Sequence, residues 1–318
     1  MLVDARWDQW PNGDDDVLAL IDYANDAGVG LHLWYNSGGP HNQIMTETPR
    51  DKMHVAAARR AELARIASWG VRGIKVDFFQ SEKQVHIAQY LDILDDAARE
   101  GLLVNFHGCT LPRGWQRTYP NLMTMEGVRG AENYKFFDGP DAIDNVRLAF
   151  TRNVVGSMDY TPVTFADGLE KTGLSYAHQV ALAVVFESGL QHFADRADGT
   201  PGEGFAAVFA AAPFVRDFFA AVPAVWDETL LLSGSPDSHI VVARRSGEDW
   251  YISGLNGLPT PISIDVSLAD LGGSPSAVRL IRSGAQLDQL VLEEHTAADR
   301  LSLEMAGSDG FVALLARD

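Results

Sequence analysis

Apolar and polar positions along the first two-thirds of the chain switch repeatedly between two periods. Short apolar runs at Leu2–Ala5, Leu31–Tyr35, Gly73–Phe79, Leu102–His107, Leu122–Glu126, Asn153–Met158 and Leu190–Phe193 read as strands. Between several of them apolar residues recur at helical spacing, over Asp15–Ala27, Asp51–Trp69, Lys83–Glu100, Ile143–Phe150 and Leu174–Glu187. The pairs Ala27-Gly28, Trp69-Gly70 and Glu100-Gly101 put glycine where a helix C-terminus needs a left-handed residue. Strand followed by helix, repeated, predicts a parallel sheet with crossover helices. Seven strands are one short of a (β/α)8 barrel. An open doubly wound sheet would carry GxGxxG at its first turn, and none stands there. The expected fold class is therefore α/β, a TIM-type barrel over residues 1–222 that lacks its first strand.

The pattern changes near Ala220. Beyond Glu228 short alternating runs follow one another, at His239–Arg244, Trp250–Ser253, Ile262–Val266, Val278–Ile281 and Gly310–Ala316, with Ser/Gly/Pro/Asp turns between them. They predict a small C-terminal antiparallel β-sandwich over 223–318, with Pro223 and Trp226-Asp227-Glu228 as the hinge.

Composition narrows the function classes. Of 318 residues 46% are hydrophobic, enough for a sizeable core, and 43 Asp+Glu against 25 Lys+Arg give a formal charge of −18. Such an excess of negative charge disfavours nucleic acid and anionic membranes as partners. No run of 18 apolar residues predicts a membrane-spanning helix. The single cysteine, Cys109, excludes an intramolecular disulfide and a CxxC metal knuckle. Met1-Leu2-Val3-Asp4-Ala5-Arg6-Trp7 reads as a buried strand rather than a leader. The expectation is thus a chain that begins at its second barrel strand, with an upstream module missing. The sheet edge left open makes homo-oligomerisation an expectation as well.

The strand ends carry the candidate chemistry, as the C-terminal rim of a barrel does. In Gly73-Ile74-Lys75-Val76-Asp77 alternation puts Lys75 and Asp77 on one face and Ile74 and Val76 on the other. Lysine and aspartate in a core strand imply either a structural ion pair or a functional site. Asn105 and His107 likewise share a face, with Gly108 following. His107 reads as a satisfied core histidine or, beside other polar strand ends, as a substrate contact. Thr124 and Glu126 end the next strand, and Gly127 and Gly130 bracket Arg129 before Glu132, a pattern that suits a loop passing close to a ligand or a plain solvated loop. Asp77 and Glu132 form a candidate carboxylate pair of the kind that glycoside hydrolysis requires. Trp7, Trp34, Tyr35, Phe79, Trp115, Tyr119 and Tyr160 are candidates for stacking on sugar rings, or for ordinary core.

The words in series carry a resemblance. Gly-Ile-Lys-Val-Asp-Phe-Phe (73–79), Asn-Phe-His-Gly (105–108), Gln-Arg-Thr-Tyr-Pro-Asn (116–121), Glu-Gly-Val-Arg-Gly-Ala-Glu (126–132) and Met-Asp-Tyr-Thr-Pro (158–162) occur in this order. Together they resemble glycoside hydrolase family 97, exo-acting α-glycosidases with a catalytic barrel and a C-terminal β-sandwich. Inverting members, α-glucosidases, carry a base glutamate directly after the histidine, where this chain has Gly108; a second base glutamate is replaced by Ser37-Gly38-Gly39. The resemblance therefore implies the retaining, α-galactosidase-like branch, with Asp77 as nucleophile and Glu132 as general acid/base.

The resemblance further implies calcium held by Glu126 and Glu132, with another ligand from an N-terminal β-sandwich outside these residues. Lys75, His107, Asp4 and Trp34 become the expected substrate contacts. For retention the two carboxyls are expected about 5–5.5 Å apart, against about 6.5–9.5 Å for inversion. The expected substrate is an oligosaccharide or α-galactoside, and the family is commonly exported, to the periplasm or beyond. The alternatives are an inverting α-glucosidase of the same family and a non-catalytic sugar-binding remnant.

Overall fold

A computed structural model describes residues 1–196, 203–271, 277–296 and 299–316. They form two compact units, one of residues 1–127 and 155–157, the other of 128–154 and 158–318.

The first unit is built on a parallel sheet whose five strands lie side by side in chain order: β1 (Leu2–Val3), β2 (His32–Asn36), β3 (Gly73–Asp77), β4 (Leu103–Phe106) and β5 (Leu122–Met125). Helices α1 (Asp14–Asp26), α2 (Ala56–Ser68) and α3 (Gln84–Arg99) connect successive strands. Three aspartates, Asp14–Asp16, open α1, where negative charge meets the positive end of the helix dipole. Each of the three helices stops at its expected glycine, with Gly28 at φ +70°, Gly70 at +92° and Gly101 at +70°. One sheet face is apolar: Leu33, Ile74, Val76, Val104 and Phe106 pack with Ile21, Leu63, Ile66 and Ile93 of the helices. The opposite face is a polar row, since Trp34 pairs in register with Lys75, Lys75 with Asn105 and Asn105 with Thr124.

Two expected strands are absent. Arg152–Val155 is a single 3-10 turn, Met158 makes only an isolated bridge, and 190–193 is irregular. Side chains take the place of a ladder there. The Asn153 amide donates to the carbonyl of Glu187 at 2.9 Å and accepts the N–H of Glu187 at 2.8 Å, while Asp159 accepts the N–H of His192. Val154 and Val155 are exposed, so their β-branched apolar character marks no buried strand.

The second unit begins with a 3-10 turn at Ala131–Lys135. Helices α4 (Ala142–Phe150), α5 (Gly168–Thr172), α6 (Tyr176–Val185), α7 (Gly204–Ala211) and α8 (Pro213–Ala221) follow. Next come eight strands: β6 (Glu228–Ser235), β7 (His239–Ser246), β8 (Asp249–Asn256), β9 (Ile262–Ser267), β10 (Ala277–Ser283), β11 (Leu290–Thr296), β12 (Arg300–Met305) and β13 (Gly310–Ala316). Six make an antiparallel sheet in the order β11-β10-β13-β8-β7-β6, and β12 pairs with β9 as a separate ribbon. Period-2 alternation buries both faces of the larger sheet. Ile240, Val242 and Leu255 pack with Val180 and Val184 of α6, while Val241, Ala243 and Ile252 pack with Ile264, Val266 and Leu301 of the ribbon. Covered on every side, α6 is buried from Ala177 to Val185 and mostly apolar, its polar residues His178 and Gln179 being hydrogen-bonded inside. Its C-terminus is capped by the buried Arg244, which donates to the carbonyl of Val185 at 2.9 Å and whose pKa burial lowers to about 10. The change from helices to strands falls between Ala221 and Glu228, whereas the compact units divide at Gly127/Val128, inside the Glu126–Glu132 word.

Candidate active site

Asp77 ends β3 on the polar face and is nine-tenths buried. Both carboxylate oxygens take donors: Oδ1 accepts the N–H of Phe78 at 2.6 Å and Oδ2 accepts the indole N–H of Trp34 at 3.2 Å. Phe78 itself stands at φ +64°, uncommon for a bulky residue, and Gln80 at +55°. The loop after β2 holds that turn. The carbonyl of Phe78 accepts both the Ser37 hydroxyl at 3.0 Å and the Asn42 amide at 2.7 Å. Asn42 also donates to Oδ1 of the fully buried Asn36, which in turn donates to the carbonyls of Ile44 and Glu47. The phenyl ring of Phe78 meets the Trp34 indole edge to face, with centroids 5.8 Å apart. Asp77 is thus aimed by a rigid loop and an indole, the kind of pre-organisation that a nucleophile needs.

Gly108 closes the other side. It has φ +48°, and a Cβ on it would lie 2.7 Å from the nitrogen of Phe78 and 2.8 Å from Oδ1 of Asp77. Its carbonyl accepts the N–H of Phe79 at 3.1 Å, and its own N–H goes to Oε2 of Glu126 at 2.6 Å. A side chain at position 108 and Asp77 in this orientation are mutually exclusive. At Gly38 a Cβ would stand 2.4 Å from the carbonyl of Arg50, so position 38 is closed to a side chain as well. His107 is buried, its N–H on the carbonyl of Val76, and Nδ1 lies 3.8 Å from Oε2 of Glu126.

The first unit therefore places Asp77, His107 and Glu126 at the C-terminal ends of β3, β4 and β5, with Lys75 mid-strand on β3 and Trp34 beside it on β2. Asp4 stands apart, exposed just beyond β1, its Oδ1 accepting the N–H of Ala5. Most of the candidate stacking aromatics are core. Trp7 and Tyr35 are fully buried, with their polar atoms on the carbonyl of Trp34 and on Glu62, and Phe79 stacks on Tyr90. Tyr160 is buried in the second unit.

Glu132 belongs to that second unit, in the 3-10 turn, with its N–H on the Thr161 hydroxyl at 3.2 Å. Nearby in sequence to Thr161, the fully buried Asp159 holds Nδ1 of His192 at 2.6 Å. The Tyr160 hydroxyl donates to Oδ1 of Asn145, whose amide nitrogen must then donate to Nε2 of His178. Burial lowers the pKa of His178 to about 4, which keeps that acceptor neutral.

The family sequence model Glycoside hydrolase 97 matches residues 3–128, and the one described as Glycosyl-hydrolase 97 C-terminal, oligomerisation matches 225–316. The chain belongs to glycoside hydrolase family 97. It is 36% identical to a probable retaining alpha-galactosidase of Streptomyces bingchenggensis, over 99% of this chain and 47% of that protein. It is 31% identical to a retaining alpha-galactosidase of Bacteroides thetaiotaomicron, over 85% of this chain and 39% of that one. The chain thus spans about half the length, or less, of these curated relatives. The crystal structure of a beta-arabinopyranosidase matches with a TM-score of 0.83 at 32% identity, covering 98% of this chain and 50% of the other. A family 97 enzyme of Pseudoalteromonas sp. strain K8, in complex with acarbose, matches with a TM-score of 0.76 at 24% identity over 94% and 48% of the two chains, a likeness of fold. The fold is that of a TIM-type barrel followed by a β-sandwich.

Sequence reasoning gives no role to Ser37, Asn42, Asp159, Thr161 or His192. Asp159 and Thr161 lie inside the Met-Asp-Tyr-Thr-Pro word, which is the one signal that could have marked them. Nothing local marks Asn42, whose importance arises only where its loop meets Phe78.

Proposed function

We propose that the chain is an exo-acting retaining α-glycosidase that hydrolyses terminal α-galactosides. Asp77 is the nucleophile and Glu132 the general acid/base. The observation that carries the reading is Gly108: no side chain fits there beside Asp77, so the base of an inverting mechanism has no place, and the carboxylate held by Trp34 and Phe78 is left to attack. In the first step Asp77 forms a bond to the anomeric carbon as the bond to the leaving oxygen breaks, and the proton of Glu132 goes to that oxygen. In the second step Glu132 takes a proton from water, which attacks the same carbon and releases Asp77. Lys75 and His107 are assigned to the sugar hydroxyls, and Trp34 to the nucleophile as well as the pocket. Asp4, exposed at the sheet edge, is kept as an outer contact only.

Calcium belongs to this proposal at Glu126 and Glu132, hard oxygen donors of the kind the ion takes, with Glu132 a carboxylate donor only in its ionised form. When bound it would supply positive charge that orders the rim. Glu126 also accepts the N–H of Gly108 through Oε2. The C-terminal region is proposed as the contact between copies of the chain, in keeping with the description of its family model. The expected localisation, periplasmic or secreted, is carried as part of the same proposal.

The likeness to a beta-arabinopyranosidase favours a second substrate. In the L series a β-arabinopyranoside has the ring configuration of an α-galactopyranoside and lacks only the C6 hydroxymethyl group. The test is proton NMR of the first sugar released from aryl α-galactoside, β-L-arabinopyranoside and α-glucoside. Release of the retained anomer from the first, or from both galacto-configured substrates, is expected. Initial release of the inverted anomer, or preference for the glucoside, overturns the reading, as does galactose binding without hydrolysis.

A further inference from the structure

The backbone that carries Glu132 rests on a strap, residues 158–164, that is itself in an unusual conformation. Thr161 stands at φ +52° and Val163 at φ +67°, on either side of Pro162. β-Branched residues rarely enter the left-handed region, and a residue before proline is steered toward extended backbone. Such conformations persist only where surrounding bonds hold them, and they concentrate at functional sites.

The bonds are all present. The carbonyl of Tyr160 accepts the N–H of Ala131 at 3.0 Å, and the Thr161 hydroxyl accepts the N–H of Glu132 at 3.2 Å while donating to the Tyr160 carbonyl at 2.7 Å. One hydroxyl therefore ties the amide of Glu132 to the strap. The approach is close: a Cβ on Gly130 would lie 2.2 Å from the Tyr160 carbonyl oxygen. The strap is in turn fixed from beneath. Tyr160 reaches Asn145 and through it His178, the carbonyl of Pro162 accepts the N–H of Ala194, and the N–H of Thr164 goes to Gln179. Thr161 is buried.

We propose that Thr161 is a positioning residue for the general acid/base: its hydroxyl sets the direction of the Glu132 amide, and with it the aim of the carboxyl at the leaving oxygen. The proposal rests on the reading of Glu132 as acid/base, and its test separates the two. Aryl α-galactosides with leaving groups of graded acidity report protonation directly, because a good leaving group needs no acid. Thr161→Val removes the hydroxyl and keeps the shape. Thr161→Gly removes it with no strain at positive φ, and Thr161→Ser keeps it.

For both hydroxyl-free variants kcat/KM is expected to fall about tenfold on an unactivated phenyl galactoside and less than about twofold on a dinitrophenyl galactoside. Thr161→Ser stays within about twofold on both. Glu132→Ala should show the same dependence more steeply, with azide restoring turnover as α-galactosyl azide. A loss in Thr161→Val and Thr161→Gly that is uniform across leaving groups, or no loss, overturns the positioning role. So does failure of both variants to fold while Thr161→Ser folds, since the hydroxyl is then structural. Unchanged hydrolysis by Glu132→Ala overturns the acid/base reading itself.

Discussion

The indole N–H of Trp34 donates to Oδ2 of Asp77 across neighbouring strands, at 3.2 Å. The indole fixes one oxygen of the carboxylate while the N–H of Phe78 fixes the other. Trp34→Phe keeps an aromatic ring beside Phe78 and deletes the donor. Its kcat on an aryl α-galactoside is expected to drop roughly tenfold, the scale of one hydrogen bond to a charged group. Circular dichroism should show the fold unchanged. Wild-type kcat in this variant would remove the indole from the machinery.

Gly108→Glu tests why the chain is assigned to retention. A side chain there meets Asp77 at 2.8 Å and the Phe78 backbone at 2.7 Å, so it displaces the nucleophile rather than adding a base. The expected result is loss of hydrolysis by about a hundredfold or more, in line with misplacing a reacting group by about an ångström. Gly108→Ala should lose nearly as much. An active Gly108→Glu that releases the inverted anomer would show that the backbone yields and the argument from space fails.

The buried His178 predicts a stability change with pH. Its folded pKa is about 4 against an ordinary 6.5, because burial disfavours the charged ring. The stability tied to its neutral form is fully present above about pH 6.5 and is lost as pH falls toward 4. The shift corresponds to something on the order of 3 kcal/mol at the acid end. Urea unfolding at pH 7 and pH 5 should show the decline, and His178→Gln should flatten it whatever its effect at pH 7. An equal slope in both proteins would assign the acid sensitivity elsewhere.

Calcium has a direct readout. Dialysis against a chelator should lower both the melting temperature and hydrolysis, and added calcium should restore both, as expected of an ion bound only by the folded state. Magnesium, with its demand for a small octahedral shell, should restore little. Unchanged melting and activity after chelation would remove the ion from the proposal.

Local pattern was sufficient wherever one element acts alone. The alternation of Ile74 and Val76 with Lys75 and Asp77 gave each face of β3 correctly, and the glycines at 28, 70 and 101 marked three helix ends. It failed where side chains replace the backbone as hydrogen-bond partners. Asn153 satisfies Glu187 in both directions, so an apolar, β-branched run remains a turn. It left Tyr35 and Phe79 open between pocket and core, because an aromatic residue at a strand end reads the same whether it faces a pocket or the helices.

The sequence by itself determined the family, the α/β and then all-β order of elements, and which carboxylates, at 77, 126 and 132, are the candidates, because these rest on residue identity and on periods of two and 3.6. Only the tertiary structure decided that Trp34 holds Asp77, that Gly108 leaves no room for a base, and that Thr161 holds the amide of Glu132. Those relations join segments 31 to 43 residues apart in the first unit and 29 in the second. No local pattern encodes a distance across such a separation; it arises when strands and loops are brought side by side.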